Sequence, residues 1–167
     1  MDKANEMKAI PLSEMDKDFK YEIAARPGAA YFKRCFSCGS CTASCPVAEL
    51  DERFNPRLII RTALLGLREE VLSSELLWYC SQCYTCYARC PQDVRFTDIM
   101  AALREMAVEE GYAPEALITK TRSVDDLARR LRYGLAEVAR LAAAGREWGK
   151  QAEELKDLLA AGLKEIV

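Results

Sequence analysis

Two short stretches of the chain place four cysteines at the same spacing, C-x2-C-x2-C-x3-C, followed by proline. They are CFSCGSCTASCP and CSQCYTCYARCP. The first set is Cys35, Cys38, Cys41 and Cys45. The second set is Cys80, Cys83, Cys86 and Cys90, and no other cysteine occurs in the 167-residue chain. We interpret the repeat as one of metal ligands rather than of a fold.

The chain contains no histidine, which narrows the chemistry that these cysteines can support. Histidine-ligated haem, Rieske centres, mixed cysteine-histidine zinc sites and Ser-His or Cys-His nucleophiles are all excluded. The N-terminal segment MDKANEMKAIPLSEMDKDFK is charged throughout and lacks the apolar run of a secretory signal, so we expect a cytoplasmic protein. In a reducing cytosol, dense cysteine indicates metal binding rather than disulfides.

The third cysteine of each run favours iron over zinc. Three thiolates on one tight loop can each bind one iron of a cubane, and this spacing is typical of ferredoxins that bind 4Fe-4S clusters. Two copies of the run therefore predict two 4Fe-4S clusters. A structural zinc protein is the alternative, because all-cysteine zinc sites use similar C-x2-C pairs.

The fourth cysteine of each run is expected to bind the cluster of the other run, as in two-cluster ferredoxins. Cluster 1 is then held by Cys35, Cys38, Cys41 and Cys90. Cluster 2 is held by Cys80, Cys83, Cys86 and Cys45. The proline after each run, Pro46 or Pro91, would turn the chain away from the loop.

The residues between the ligands differ between the two runs. The first run carries small residues, whereas the second carries Tyr84, Tyr87 and Arg89. The tyrosines would exclude water from cluster 2, and Arg89 would offset thiolate charge. Simple packing of the tyrosines against a helix is the alternative.

Helical signals surround both runs. Asn55 followed by Pro56 predicts the start of a helix, PRLIIRTALLGLREEV, with Leu58, Ile59 and Leu65 on its apolar face. The absence of a convincing β-hairpin near the runs predicts a helical ferredoxin rather than a small β-containing one.

Three weaker signals complete the cysteine-containing region. Ser73 or Ser74 would cap a short helix that leads to Cys80, and Thr97 would cap a helix, DIMAALREMAVEE, that Gly111 ends. Upstream, FKYEI alternates as in a short strand.

The C-terminal third predicts an antiparallel helical hairpin. Ser123 and Asp126 would open its first helix, which Gly145 ends, and a second helix follows. Two helices cannot bury both apolar stripes against each other. The remaining apolar surface would pack on the cluster domain or dock on another protein. The alternative is that it packs only within this chain. The stripe residues are Val124, Leu127, Leu131, Leu135, Val138 and Leu141, then Trp148, Ala152, Leu155, Leu159, Leu163 and Ile166.

Charge and hydropathy argue against two classes of partner. The 24 basic and 26 acidic residues alternate along the chain, without the basic tract that nucleic acid binding requires. The most apolar segment, LIIRTALLGL, contains Arg61 and is far shorter than the roughly 20 residues needed to cross a bilayer. We therefore expect neither nucleic acid binding nor membrane insertion.

The two cysteine stretches, followed by FTDIMAALREMA, resemble the C-type subunits of heterodisulfide reductase over roughly residues 31–111. The resemblance implies the α-helical ferredoxin fold with two 4Fe-4S clusters. It also implies a relay of electrons between a flavin-containing A-type subunit and a B-type subunit with Cys-Cys-Gly motifs, which holds the disulfide-reducing site in a cytoplasmic complex. It does not extend past Tyr112.

The residues are consistent with a relay that is not catalytic alone. The chain has no G-x-G-x-x-G for a flavin or nicotinamide, and no Cys-Cys-Gly. An iron-sulfur subunit of the succinate dehydrogenase or fumarate reductase type is the alternative, although residues 1–34 lack the cysteines of its plant-type site. We expect an N-terminal extension at 1–30, the α-helical ferredoxin domain at 31–112 and the hairpin at 113–167.

Overall fold

The computed structural model describes residues 11–167, apart from the side chain of Glu14. Every regular element within this range is a helix, so the predicted mostly α fold class is confirmed. The chain divides into two compact units. The first ends at Tyr112 and the second begins at Ala113. No helix from residue 11 onward has the length and apolarity to span a bilayer. The start of the predicted N-terminal extension lies outside the described residues.

The first unit is built from short helices around the two cysteine runs. In the part of this unit from residue 11 onward, three 3-10 helices occur, at Leu12–Glu14, Phe32–Arg34 and Glu75–Tyr79. Its α-helices in the described range are α1 (Phe19–Ala25), α2 (Ser40–Ala43), α3 (Pro46–Leu50), α4 (Pro56–Leu64), α5 (Arg68–Leu72), α6 (Thr85–Arg89) and α7 (Phe96–Glu109).

The segment FKYEI forms helix α1, so the predicted strand is wrong. The Asp16 carboxylate accepts hydrogen bonds from the backbone N–H groups of Asp18 (2.9 Å) and Phe19 (3.2 Å), which starts the helix. Phe19 and Ile23, four residues apart, then lie on one helical face and are fully buried. Their burial decides the local structure against the alternating pattern.

The long helix predicted after Asn55 is two helices, α4 and α5, because Gly66 interrupts it with a φ of +81°. The Gly66 carbonyl accepts a hydrogen bond from the Asp16 N–H at 2.8 Å. A Cβ at Gly66 would lie 2.1 Å from the Asp16 carbonyl oxygen, so only glycine fits this contact. The hydrogen bond at this break therefore connects the N-terminal segment to the middle of the unit.

The start of α4 is confirmed, but its predicted apolar face is only partly correct, because Ile59 packs against the core whereas Leu65 is exposed. The Asn55 side chain accepts the Leu58 N–H at 3.0 Å, as expected of a cap. Leu58 is 55% exposed, however, whereas Ile60 and Ala63 are buried in the core. The core face is thus rotated from the predicted one.

The core of the first unit surrounds the cysteines. Arg68 of α5 pairs with Asp16 (2.7 Å), Glu22 (2.6 Å) and Glu110 (2.7 Å), which ties the ends of three segments together. The largest fully buried side chains are Phe19, Phe32, Phe54, Ile23, Ile60, Leu72, Leu77, Ile99, Met100, Leu103 and Met106. Burial on this scale is the main stabilising contribution to the unit.

The second unit is an antiparallel hairpin of α8 (Ala116–Ala143) and α9 (Gly149–Ile166), as predicted. Helix α8 begins earlier than the predicted start at Ser123, and Gly145 follows it with a φ of +64°. A Cβ at Gly162 would lie 2.6 Å from the Leu127 side chain, so the missing side chain lets the two helices approach closely.

Candidate iron-sulfur site

The two cysteine runs share a backbone conformation as well as a spacing. Ser37 and Gln82, each before the second cysteine of its run, have φ values of 60° and 48°. Gly39 and Tyr84, each after that cysteine, have φ values of 86° and 60°. A short helix, α2 or α6, then carries the third cysteine. The repeat therefore includes the local backbone conformation of each loop as well as the cysteine spacing.

The loop conformation gives the second cysteine of each run the same polar neighbours. The Cys38 sulfur lies 3.4 Å from the Ser40 hydroxyl, and the Cys83 sulfur lies 3.5 Å from the Thr85 hydroxyl. The hydroxyl and backbone N–H of Ser40 lower the pKa of Cys38. Burial tends to raise the pKa of Cys83, but hydrogen bonds with Thr85, Ser81 and the backbone of Cys83 together outweigh it, so the pKa is lowered. A lower pKa increases the fraction of thiolate, the form that binds metal.

The eight cysteines line two cavities and none forms a disulfide. The first cavity is lined by Cys35, Cys38, Cys41 and Cys90, together with Cys86. The second cavity is lined by Cys45, Cys80, Cys83 and Cys86. The fourth cysteine of each run thus lies at the cavity of the other run, and Cys86 lies in the walls of both.

The two cavities differ in how deeply their cysteines are buried. Cys45, Cys80 and Cys86 of the second cavity are buried, and only Cys83 there is exposed. In the first cavity Cys38 is exposed and its other cysteines, apart from the shared Cys86, are partly buried. Each cavity therefore has one exposed cysteine, and the second cavity is the more enclosed.

Burial disfavours the negatively charged thiolate form of the inner cysteines unless a nearby positive charge stabilises it. It raises the pKa of Cys80 to about 11, against a weaker opposing effect from the Gln82 N–H, and it raises those of Cys41 and Cys86. Bound iron supplies the positive charge that stabilises such thiolates. Across residues 11–167, no three cysteine or carboxylate side chains converge on a single-ion site. A cubane does not need that convergence, because each thiolate binds a different iron. The donors present therefore fit iron-sulfur clusters.

Several contacts reach the cysteines from outside the two runs. The Thr97 hydroxyl lies 3.5 Å from the buried Cys86 sulfur, and the Val94 N–H donates to the Cys90 sulfur at 3.4 Å. Thr97 does not cap α7 as predicted, because this helix already begins at Phe96. Its hydroxyl faces the Cys86 sulfur instead of the helix terminus.

The side chains that distinguish the second run do not enclose its cavity. Tyr84 is 51% exposed and meets Tyr87 edge-on, with ring centroids 6.2 Å apart. Neither ring lines either cavity, and Arg89 is exposed to solvent. The predicted water exclusion and charge compensation by these residues do not fit the structure. The buried cation near this cavity is Arg104, which the sequence did not reveal.

A comparison with protein families identifies the region that contains this site. Residues 31–94, which include both runs and both cavities' cysteines, match the family model described as "4Fe-4S dicluster domain". This region is therefore similar to a 4Fe-4S dicluster domain, and residues 31–94 are called the dicluster domain below. The prediction of two 4Fe-4S clusters as cofactors is thereby confirmed.

The dicluster domain also has relatives among curated proteins of methanogens. The iron-sulfur C 2 subunit of the CoB–CoM heterodisulfide reductase of Methanocaldococcus jannaschii is 39% identical over 63% of this chain. The C2 subunit of the H2/formate:CoB-CoM heterodisulfide,ferredoxin reductase of Methanococcus maripaludis is 42% identical over 59%. The iron-sulfur C subunit of the CoB–CoM heterodisulfide reductase of Methanopyrus kandleri is 45% identical over 49%. The predicted resemblance to the C-type subunits is confirmed.

These matches cover part of each protein. The chain spans 59%, 56% and 42% of the lengths of these three relatives. The dicluster domain itself ends before the hairpin of α8 and α9 begins.

Proposed function

We propose that this chain is the electron-transfer subunit of a heterodisulfide-reductase-type complex. In this proposal the dicluster domain passes single electrons through its two 4Fe-4S clusters. The electrons pass between a flavin-containing A-type subunit and a B-type subunit with Cys-Cys-Gly motifs that reduces the disulfide. The chain is not catalytic alone, and the complex is cytoplasmic.

The observation that carries this proposal is the shared wall between the two cysteine-lined cavities. Cys86 and Phe96 line both, so two clusters held there would lie close together. Close approach favours electron transfer between clusters, because electron tunnelling weakens steeply with distance. Each cavity also has one exposed cysteine, Cys38 or Cys83, which gives each cluster its own contact with the surface. An electron can then enter at one cluster and leave at the other.

The ligand sets belong to the same proposal. Cluster 1 takes Cys35, Cys38, Cys41 and Cys90. Cluster 2 takes Cys80, Cys83, Cys86 and Cys45. The position of Cys90 at the first cavity and of Cys45 at the second supports this exchange of fourth ligands.

We assign residues 31–112 to cluster binding and propose that the hairpin at 113–167 docks a partner subunit. Apolar side chains along both helices remain exposed, including Val124, Leu135, Trp148 and Leu163. A Gly162→Leu substitution would push the helices apart at Leu127. Gly149→Leu is the control, because a Cβ at Gly149 would meet no atom within 4 Å. The first change should weaken partner association at an unchanged iron content, and the second should not.

The function is tested by anaerobic purification of the complex from the native host. Iron, zinc and acid-labile sulfide are counted, and the co-purifying chains are identified. We expect about eight irons per chain, as two four-iron clusters require, with a flavoprotein and a Cys-Cys-Gly protein bound. Rapid mixing with reduced flavoprotein should then reduce both clusters.

Two results would contradict the proposal. Zinc in place of iron would mean a structural role for the cysteines. Partners of the succinate dehydrogenase or fumarate reductase type would assign the dicluster domain to a different oxidoreductase.

A further inference from the structure

Arg104 of α7 is a buried cation that contacts the start of the second cysteine run. Its side chain is 4% exposed. Its Nε donates to the Leu77 carbonyl at 2.7 Å, and its Nη2 donates to the Cys80 carbonyl at 2.9 Å. The guanidinium also lies over the Trp78 ring, 5.7 Å from its centroid. Arginine is rarely buried without a specific set of partners, so these contacts fix its charge beside Cys80.

The two carbonyls lie where the chain enters the run. Leu77 belongs to the 3-10 turn Glu75–Tyr79, and Cys80 follows that turn. Carbonyls at a helix terminus lack intrahelical partners, and a cation there also complements the local dipole. Arg104 therefore holds the backbone of the first ligand of cluster 2.

At the equivalent position before the first run, the backbone carbonyl has a different hydrogen-bond donor. Phe32 stands three residues before Cys35, as Leu77 stands three residues before Cys80. The Phe32 carbonyl accepts the backbone N–H of Cys35 at 3.4 Å. The Leu77 carbonyl instead accepts a side-chain donor that carries a positive charge. The two otherwise repeated loops differ in charge at this point.

We propose that Arg104 is a positioning residue of cluster 2 that also raises the reduction potential of that cluster. Adding an electron makes a cluster more negative, so a fixed positive charge nearby favours the reduced state. The low-polarity surroundings of Arg104 preserve this effect, since solvent cannot screen it fully. The inference rests on the proposed cluster at Cys80, but not on the exchange of fourth ligands or on the partners.

The test is redox titration of the isolated full-length chain, followed by electron paramagnetic resonance, for Arg104→Gln and Arg104→Lys. Arg104→Gln should lower the midpoint potential of cluster 2 and leave that of cluster 1 unchanged. Arg104→Lys, which keeps the charge, should stay close to the unmodified chain. Arg89→Gln is the matched control, because Arg89 is in the same run but exposed, and it should shift neither potential measurably.

Two outcomes would overturn the inference. One is an unchanged cluster 2 potential in an Arg104→Gln chain that holds about eight irons. The other is an Arg104→Lys chain that behaves like Arg104→Gln, including a shared failure to bind cluster 2, since shape rather than charge would then decide. Neither outcome depends on which partners co-purify, so a failure of the proposed complex remains distinguishable.

Discussion

The Thr97 hydroxyl lies 3.5 Å from the sulfur of Cys86, and both residues are buried. Hydrogen bonds to ligand sulfurs raise the reduction potential of an iron-sulfur cluster. Thr97→Val keeps the shape of the side chain but removes this bond. It should therefore lower the midpoint potential of cluster 2, measured by redox titration of the full chain.

Two controls accompany Thr97→Val. Thr97→Ser retains the hydroxyl and should keep the potential near that of the unmodified chain. Thr62→Val removes a hydroxyl that bonds the Leu58 carbonyl at 2.9 Å, away from both cavities, and should leave both potentials unchanged. An equal shift in Thr97→Val and Thr62→Val would show that the hydrogen bond to sulfur is not the cause.

The proposed exchange of fourth ligands predicts which cluster each cysteine variant affects. Cys90→Ser should change the same paramagnetic signal as Cys38→Ser, because Cys90 lies at the first cavity. Cys45→Ser should instead match Cys83→Ser, because Cys45 lies at the second. The spectra of the four chains, recorded after anaerobic reduction, provide the comparison. A Cys90→Ser spectrum that matches Cys83→Ser would mean that each run holds its own cluster.

The grouping of the first three cysteines of each run at one cavity was predictable from sequence, because these cysteines are close together in the chain. Their spacing alone indicates three donors on one tight turn. The contacts of Thr97 with Cys86 and of Arg104 with Cys80 were not predictable. The partners are 11 and 24 residues apart in the chain, and both contacts depend on how α7 packs. Arg89 is nearer in sequence, yet it is exposed.

The helical class was predictable for a similar reason, but the bounds of some helices were not. Asn55 caps α4 through a local contact, which the sequence indicates directly. The break at Gly66 depends on a hydrogen bond from Asp16, which lies far away in the chain. The same Asp16 starts α1, where an alternating pattern had predicted a strand. A long-range contact thus accompanies the break, whereas local hydrogen bonds and the burial of Phe19 and Ile23 decide α1.

Gly66→Ala should destabilise the first unit severely. The new Cβ would lie 2.1 Å from the Asp16 carbonyl oxygen, and the φ of +81° is unfavourable for alanine. We expect a loss of about 4 kcal/mol or more in the free energy of unfolding, measured by denaturant titration. Gly111→Ala is the control, since it has a similar φ of +78° but no atom within 4 Å. It should cost only about 1–2 kcal/mol, and equal losses would mean that backbone conformation alone is responsible.

After the clusters are removed, the cysteine thiols should be alkylated in a fixed order. Cys38 and Cys83 are exposed and have lowered pKa values, whereas burial raises the pKa of Cys80 to about 11. A lower pKa gives more thiolate at a given pH, and thiolate is the form that iodoacetamide alkylates. In short pulses on the cluster-free chain at rising pH, Cys38 and Cys83 should therefore be labelled first and Cys80 last. Peptide mass spectrometry reports the order.

The same pulses separate ligand protection from burial. In the chain with both clusters bound, Cys38 and Cys83 should resist alkylation although they are exposed, because iron occupies their sulfurs. Labelling of either residue in the loaded chain would remove it from the proposed ligand sets. In the cluster-free chain, labelling of Cys80 as fast as Cys38 would mean that the second loop needs its cluster to fold, since only the folded loop buries Cys80.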